Sequence, residues 1–285
     1  VLDSVLTRAG DDPAVRAELL GRVGAVLTYQ GAYGEAEDYI ARALPLYVRA
    51  LGPDRPEVAM LHNNLAIVLE YEGRPDEAEV HYRQGLEIYD RTLGPQHPKT
   101  ATLRSNLGGW LVGRGRYEEA EVILESSLAV LEAAHGPDHM LVGDTVNILC
   151  DLHTGLGHPA RALAYCQRAV AIADGNLPPE HRVRATFRLG LASALIDLDR
   201  AADALEPLEL AREIQARDGG DPADLASVQL ALAQALWATK GDLVRAQSLA
   251  RAARAAFAAA GDRKRTDLAR VDAWLLAHTS AKHPR

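Results

Sequence analysis

Residues 57–98 read EVAMLHNNLAIVLEYEGRPDEAEVHYRQGLEIYDRTLGPQHP, and a shift of 42 residues carries most of their positions onto equivalents elsewhere in the chain. The stretch holds two helical patterns. Val58, Leu61, Leu65, Val68 and Leu69 recur at steps of three and four, which places them on one helix face. Ala78, Tyr82, Leu86 and Tyr89 repeat the pattern further on. Gly73, Arg74 and Pro75 break it between them. Gly94-Pro95 stops the second helix, because glycine accepts the left-handed conformation at a helix end and proline cannot continue it. Pro98 suits the first turn of the next helix, where a missing N–H costs nothing. The stretch predicts a helical hairpin with a short connector.

The same unit can be followed along the chain column by column. Ala36, Ala78, Ala120, Ala162, Ala204 and Ala246 share a place early in the second helix. The turn between helices carries Gly31, Gly73, Gly115, Gly157 and Gly241, with Asp199 as the exception. Two further columns are small: Gly24, Ala66, Gly108, Cys150, Ala192, Ala233, and Ala43, Gly85, Ser127, Ala169, Ala211, Ala253. A large apolar column, Val23, Leu65, Leu107, Leu149, Leu191 and Leu232, runs beside the first of them. Small columns let helix backbones approach, and large ones fill the space between them. The sixth unit needs one extra residue, near Thr239-Lys240. The expected units are 15–56, 57–98, 99–140, 141–182, 183–223 and 224–266. Residues 1–14 read as the end of an earlier helix and its connector, with Asp12-Pro13 starting the first hairpin. Residues 264–279 offer Leu268, Val271, Trp274 and Leu275 on one face, as a helix capping the array, and 280–285 read as a tail.

Composition fits a helical array: 25% charged, 48% hydrophobic and only 5% aromatic. No 18-residue apolar run exists, so no membrane partner is expected. The net charge of −8 argues against nucleic acid. The N-terminus has no signal segment, and a cytoplasmic location is expected. Arginine greatly outnumbers lysine, as in GC-rich bacterial genomes, and a start at Val1 reads as a piece of a longer chain.

The columns resemble the tetratricopeptide repeat. That family pairs a large and a small residue in helix A, here Leu65-Ala66, with alanine, an aromatic or apolar residue and alanine in helix B, here Ala78, Tyr82 and Gly85. The 42-residue period, LHNNLAIVLEYEGRPDEAEVHYRQGLEIY and the connector LGPQHP are similar to the kinesin light chain subtype. The resemblance implies an all-α, right-handed α-solenoid of about six hairpins. Its A helices would line a concave groove that takes a peptide or protein segment. The family's groove asparagine maps onto Asn63, Ser105 and Asn147, and is replaced by Gly21 and Leu189 in the first and fifth units. Met60, Ile67, Glu70, Tyr71, Thr102, Gly109, Asp144 and Asp151 would lie around it. With Glu70, Asp144 and Asp151 present and the lysines of kinesin light chain grooves missing, a neutral or basic segment is expected.

A second resemblance is contextual. PAVRAELLGRVGAVLTYQGAYGEAE, LALAQALWATKGDLVRAQSLARAARAAFAAAG and VDAWLLAH are similar to the C-terminal repeat regions of myxobacterial-type serine/threonine kinases. It implies a regulatory or substrate-recruiting role beside an enzyme. A structural spacer or a scaffold self-associating through the ends of the array, as a homo-oligomer, is the other alternative.

No chemistry of the chain's own is legible. There is no glycine-rich phosphate loop, H-R-D, D-F-G or G-x-S-x-G, and no H-E-x-x-H, so neither catalysis, cofactor nor metal is expected. His135 and His139 straddle Gly136-Pro137 and read as loop residues. His153 replaces a leucine of the hairpin core and reads as a hydrogen-bonded core residue. Glu118-Glu119 read as a solvated helix start. Cys150 and Cys166 fall in two inward-facing columns and are expected to be core neighbours in the reduced state.

Overall fold

The computed structural model describes residues 12–217 and 221–279, so the expected helix end and connector before Asp12 and the tail 280–285 lie outside the described residues. Among the described residues there are thirteen α-helices and no strand. They run as α1 (Pro13–Tyr29) and α2 (Tyr33–Leu51), α3 (Pro56–Tyr71) and α4 (Pro75–Thr92), α5 (Pro98–Gly113) and α6 (Tyr117–His135). Then come α7 (Met140–Gly155) and α8 (Pro159–Asn176), α9 (Arg182–Asp197) and α10 (Ala201–Arg217), α11 (Pro222–Ala238) and α12 (Leu243–Ala259). A 3₁₀ turn at Gly261–Lys264 leads into α13 (Arg265–Thr279). The chain divides into two compact units, the first ending at Ala134 and the second beginning at His135. The all-α repeat fold expected from the periodicity is what the chain adopts.

Each hairpin turns where the sequence weakens the helix. Gly31, Gly73, Gly115 and Gly157 take φ of 77°, 78°, 71° and 69°, and Asp199 takes 58° in the same place. Asparagine and aspartate tolerate this region better than other side chains. The sixth turn differs from the sequence reading. Lys240, not Gly241, holds the positive φ, at 51°, and Gly241 is the additional residue before α12. Between hairpins, Gly52 has φ 93° and ψ 162°. That is the mirror-extended region, which is open essentially to glycine alone.

The columns form the core. All six alanines of the helix-B column are fully buried. Within a hairpin, the small column of helix A faces an apolar column of helix B. A Cβ added to Gly24 would come 2.5 Å from Ile40, and one added to Gly108 would come 2.5 Å from Cδ2 of Leu124. The absence of a side chain therefore sets how closely these helices cross. At the end of the second unit, α13 buries Val271, and Leu268, Trp274 and Leu275 pack onto the same core. Trp274 meets Trp237 of α11 edge-on at 5.7 Å.

Successive hairpins are joined by charge as well. Arg74, in the turn of its hairpin, bonds Glu37 of the hairpin before at 2.7 Å, and Arg116 repeats the contact with Glu79 at 2.7 Å. These partners are partly exposed, and exposed pairs are worth about 0–1 kcal/mol each. Arg104 of α5 bonds Asp90 of α4 at 2.5 Å, and Arg188 of α9 bonds both oxygens of Asp174 on α8 at 2.9 and 2.8 Å. Arg188 is only 8% exposed, so the contact of its Nη2 with both carboxylate oxygens carries more weight than the turn contacts.

Candidate functional site

The A helices of the first unit bring part of the expected set together. Met60 and Asn63 on α3 and Thr102 on α5 line one pocket of about 230 Å³, with Tyr89, Lys99 and Leu103 completing it. Met60 also borders a larger pocket of about 550 Å³ between α1, α2 and α3, where Gly21 stands at the groove position. Lys99 is exposed, and it gives this pocket a cation that the reading of a lysine-free groove leaves out.

Asn63 is not an open clamp. Its Oδ1 accepts from Nδ2 of Asn106 at 2.9 Å, and its own Nδ2 donates to Asn64 at 3.3 Å. The first contact links α3 to α5, one repeat apart. Thr102 donates its hydroxyl to the Pro98 carbonyl at 3.0 Å. Ser105 is buried at 4% exposure, below the surface rather than on it. Ile67 is half-buried. Glu70 is exposed and accepts from the Tyr82 hydroxyl at 3.2 Å. Desolvation raises its pKa, and the Tyr82 bond opposes the rise. Tyr71 is exposed and stacks on Tyr33 with ring centres 4.5 Å apart, so the two aromatics cover each other.

In the second unit, α7 carries Asp144, Asn147 and Asp151 at steps of three and four, along one face. Asn147 is 8% exposed, and its Oδ1 is buried without a hydrogen-bond partner. Both carboxylates reach water, yet each is walled by protein on most sides. Desolvation pushes Asp144 up to about 6 and Asp151 up to about 7.

The cysteines correct the sequence reading. They are core neighbours, as expected, but they are joined in a disulfide rather than reduced. The facing columns of α7 and α8 bring their Cα atoms to 5.1 Å, inside the range a disulfide spans. His153 is fully buried and its ring stacks on Tyr165 at 5.3 Å. Among the described residues no group of three or more histidine, cysteine, aspartate or glutamate side chains could hold a metal. No helix among them is long and apolar enough to cross a membrane.

Sequence reasoning missed a role for the connector histidines. His97, His139 and His181, each 42 residues from the next, cap α5, α7 and α9. Their Nδ1 atoms accept from the backbone N–H two residues on, at 3.1, 3.2 and 3.3 Å. An imidazole nitrogen here does the work that aspartate does at Asp12 and Asp221. The fixed spacing from the connector proline was the available signal. Replacing His139 by alanine is expected to cost about 1 kcal/mol, while asparagine at the same place should retain most of the stability. Urea unfolding of the two variants checks this. Equal losses for both would show that the side-chain acceptor contributes nothing.

The tetratricopeptide repeat profile matches residues 15–91, 60–133 and 99–175. Solved structures give the same architecture. The kinesin-light-chain-like repeats of Podosopora anserina are 23% identical, over 73% of this chain and 98% of that one, with a TM-score of 0.56. BtubC of P. vanneervenii is 21% identical over 75% of this chain and 87% of its own, at 0.61. A Rap protein complexed with the Competence and Sporulation Factor is 15% identical over 93% and 77%, at 0.66. At these identities the likeness speaks for fold alone. No functionally curated protein matches the chain.

Proposed function

Because the chain belongs to the tetratricopeptide repeat family, we propose that it binds an extended protein segment along the A-helix faces of its units. The observation that carries this reading is the pocket of the first unit. Met60, Asn63 and Thr102, assigned to the groove face from sequence, meet around one hollow of about 230 Å³. Its lining is mixed: Leu103, Met60 and the ring of Tyr89 are apolar, while Lys99, Thr102 and Asn63 are polar. Such a surface takes a side chain and leaves polar groups for the backbone on either side. Repetition supports the reading, since the stacked hairpins within a unit present equivalent positions in rows. The charge preference differs by unit: Lys99 stands beside the first pocket, whereas α7 offers Asp144 and Asp151. The preference for a neutral or basic segment therefore belongs to the second unit.

The test uses an immobilised array of random twelve-residue peptides and the full chain. Binders are expected at micromolar affinity. Thr102→Arg, which fills the pocket, should weaken those that occupy the first unit by about tenfold or more, equivalent to about 1.4 kcal/mol. The helical circular dichroism should stay unchanged. If no peptide binds, or if every binder ignores Thr102→Arg and Met60→Ala together with Asn147→Ala, the A-helix faces are not the site. An enzyme attached to these repeats, a kinase above all, is supported only by the wording of residues 13–37 and 230–278.

A further inference from the structure

The asparagine contact that links α3 to α5 is absent where the repeat would place it again. Two repeats on, Asn63 becomes Asn147 and Asn106 becomes Gly190. Glycine supplies no donor, and the Oδ1 of Asn147 is left buried and unpartnered. The residue as a whole is 8% exposed. A buried acceptor without a partner is a cost that native chains seldom carry without a use.

The space that glycine leaves is defined on three sides. A Cβ built on Gly190 would lie 3.6 Å from Oδ1 of Asn147, 3.6 Å from Oδ1 of Asp151 and 3.2 Å from Sγ of Cys150. Two oxygen acceptors thus converge over one backbone floor, and the disulfided cysteine forms the apolar side. Among the described residues neither Asp151 nor Asp144, one turn before Asn147, makes an ion pair or hydrogen bond. Both carboxylates are exposed, so a ligand can approach them from solvent. Burial pushes both up, and no neighbouring cation acts against it. The cluster has acceptors and lacks a positive donor.

We propose that the niche over Gly190, between α7 and α9, binds a primary ammonium: the side-chain tip of a lysine in the bound segment. An ammonium is compact and carries three rotatable donors, which suits acceptors converging on a point. A guanidinium is planar and presents a fixed fork, which suits a single carboxylate edge. Only the lysine's being part of a peptide rests on the proposed function; the niche itself stands on its own geometry.

The test is a titration of the ¹⁵N-labelled full chain at pH 8, where Asp151 is ionised, with three probes. They are the Nα-acetyl, N-methylamide derivatives of lysine, norleucine and arginine. The lysine probe is expected to shift the Gly190 amide and the Asn147 side-chain resonances saturably. Its Kd should be at least tenfold below that of norleucine, which has the same carbon stem and no ammonium. Gly190→Asn restores the pairing seen at Asn63 and Asn106, and should abolish the response. Because a side chain there also presses on Cys150, Asp151→Asn is the second variant, with an expected loss of tenfold or more. No shift at Gly190, an equal response to norleucine, or tighter binding of arginine would each overturn the proposal. A chain that binds the lysine probe but no array peptide would instead remove the groove reading and leave the niche in place.

Discussion

Alkylation of the denatured, unreduced chain is expected to label no thiol, and prior reduction to lower its stability by about 3 kcal/mol. Cys150 and Cys166 are bonded across α7 and α8 with a sequence separation of 16 residues. Closing a loop of that length removes unfolded-state entropy worth about 3 kcal/mol. Both residues are fully buried, so a reductant reaches the sulfurs only when the hairpin opens. Reduction should therefore be slow under native conditions and fast in urea. The replacement Cys150→Ala with Cys166→Ala should reproduce the reduced chain's urea midpoint. Two labelled thiols in the unreduced sample would sink the prediction and restore the reduced pair that the sequence suggests. Disulfides persist in oxidising compartments, so an intact bond in the purified chain would count against the cytoplasmic location expected from the sequence.

The hairpin of α5 and α6 solves the same crossing without a bond. Gly108 faces Leu124, and an added Cβ would stand 2.5 Å from Cδ2 and 2.6 Å from Cγ of that leucine. The Cγ atom cannot swing aside as a chain end could. Gly108→Ala gains about 0.8–1 kcal/mol of helix propensity. Overpacking costs about 1–3 kcal/mol, so a net loss is expected. Leu124 is fully buried, and Leu124→Ala should cost about 2–5 kcal/mol through lost burial and the cavity left behind. In the double variant the new methyl group occupies part of that cavity. The combined loss should fall short of the sum by at least about 0.5 kcal/mol. Urea unfolding of all four proteins measures it. Additive losses, or a Gly108→Ala chain more stable than the parent, would count against glycine as the element that sets the crossing distance.

The hairpins were legible because their determinants are local and repeated. A 42-residue period puts Gly73 and Gly115 in turns and Ala78 and Ala120 in contacts, and each column confirms the others. The exceptions lie where two different residues can serve one need. Lys240 accepts the positive φ that glycine accepts elsewhere, and the glycine beside it misled the alignment by one position. His97, His139 and His181 cap helices although histidine is not a favoured cap. The site was less legible because its contacts run between repeats. Asn63 is expected at a groove from its column, but its bond to Asn106 follows from a spacing of 43, which no helix periodicity announces. Gly190 becomes informative only when that contact is known and found missing. A spacing of 16 between two cysteines says that they meet; it does not say whether they are bonded.

The disulfide also gives the chain a mechanical property. A solenoid pulled by its ends lengthens as its hairpins open in turn, and each freed residue adds at most about 3.3–3.6 Å. The segment between Cys150 and Cys166 is closed on itself, so tension passes through the two sulfurs and bypasses it. Stretched fully, the oxidised chain should be shorter than the reduced chain by about 50 Å. The residues sheltered from the load include the turn at Gly157 and the core histidine at 153. Asn147 lies outside the loop, three residues before its first sulfur, on the strained side of the bond. Force would thus pull the niche on α7 apart while the hairpin tip beyond it stays tied.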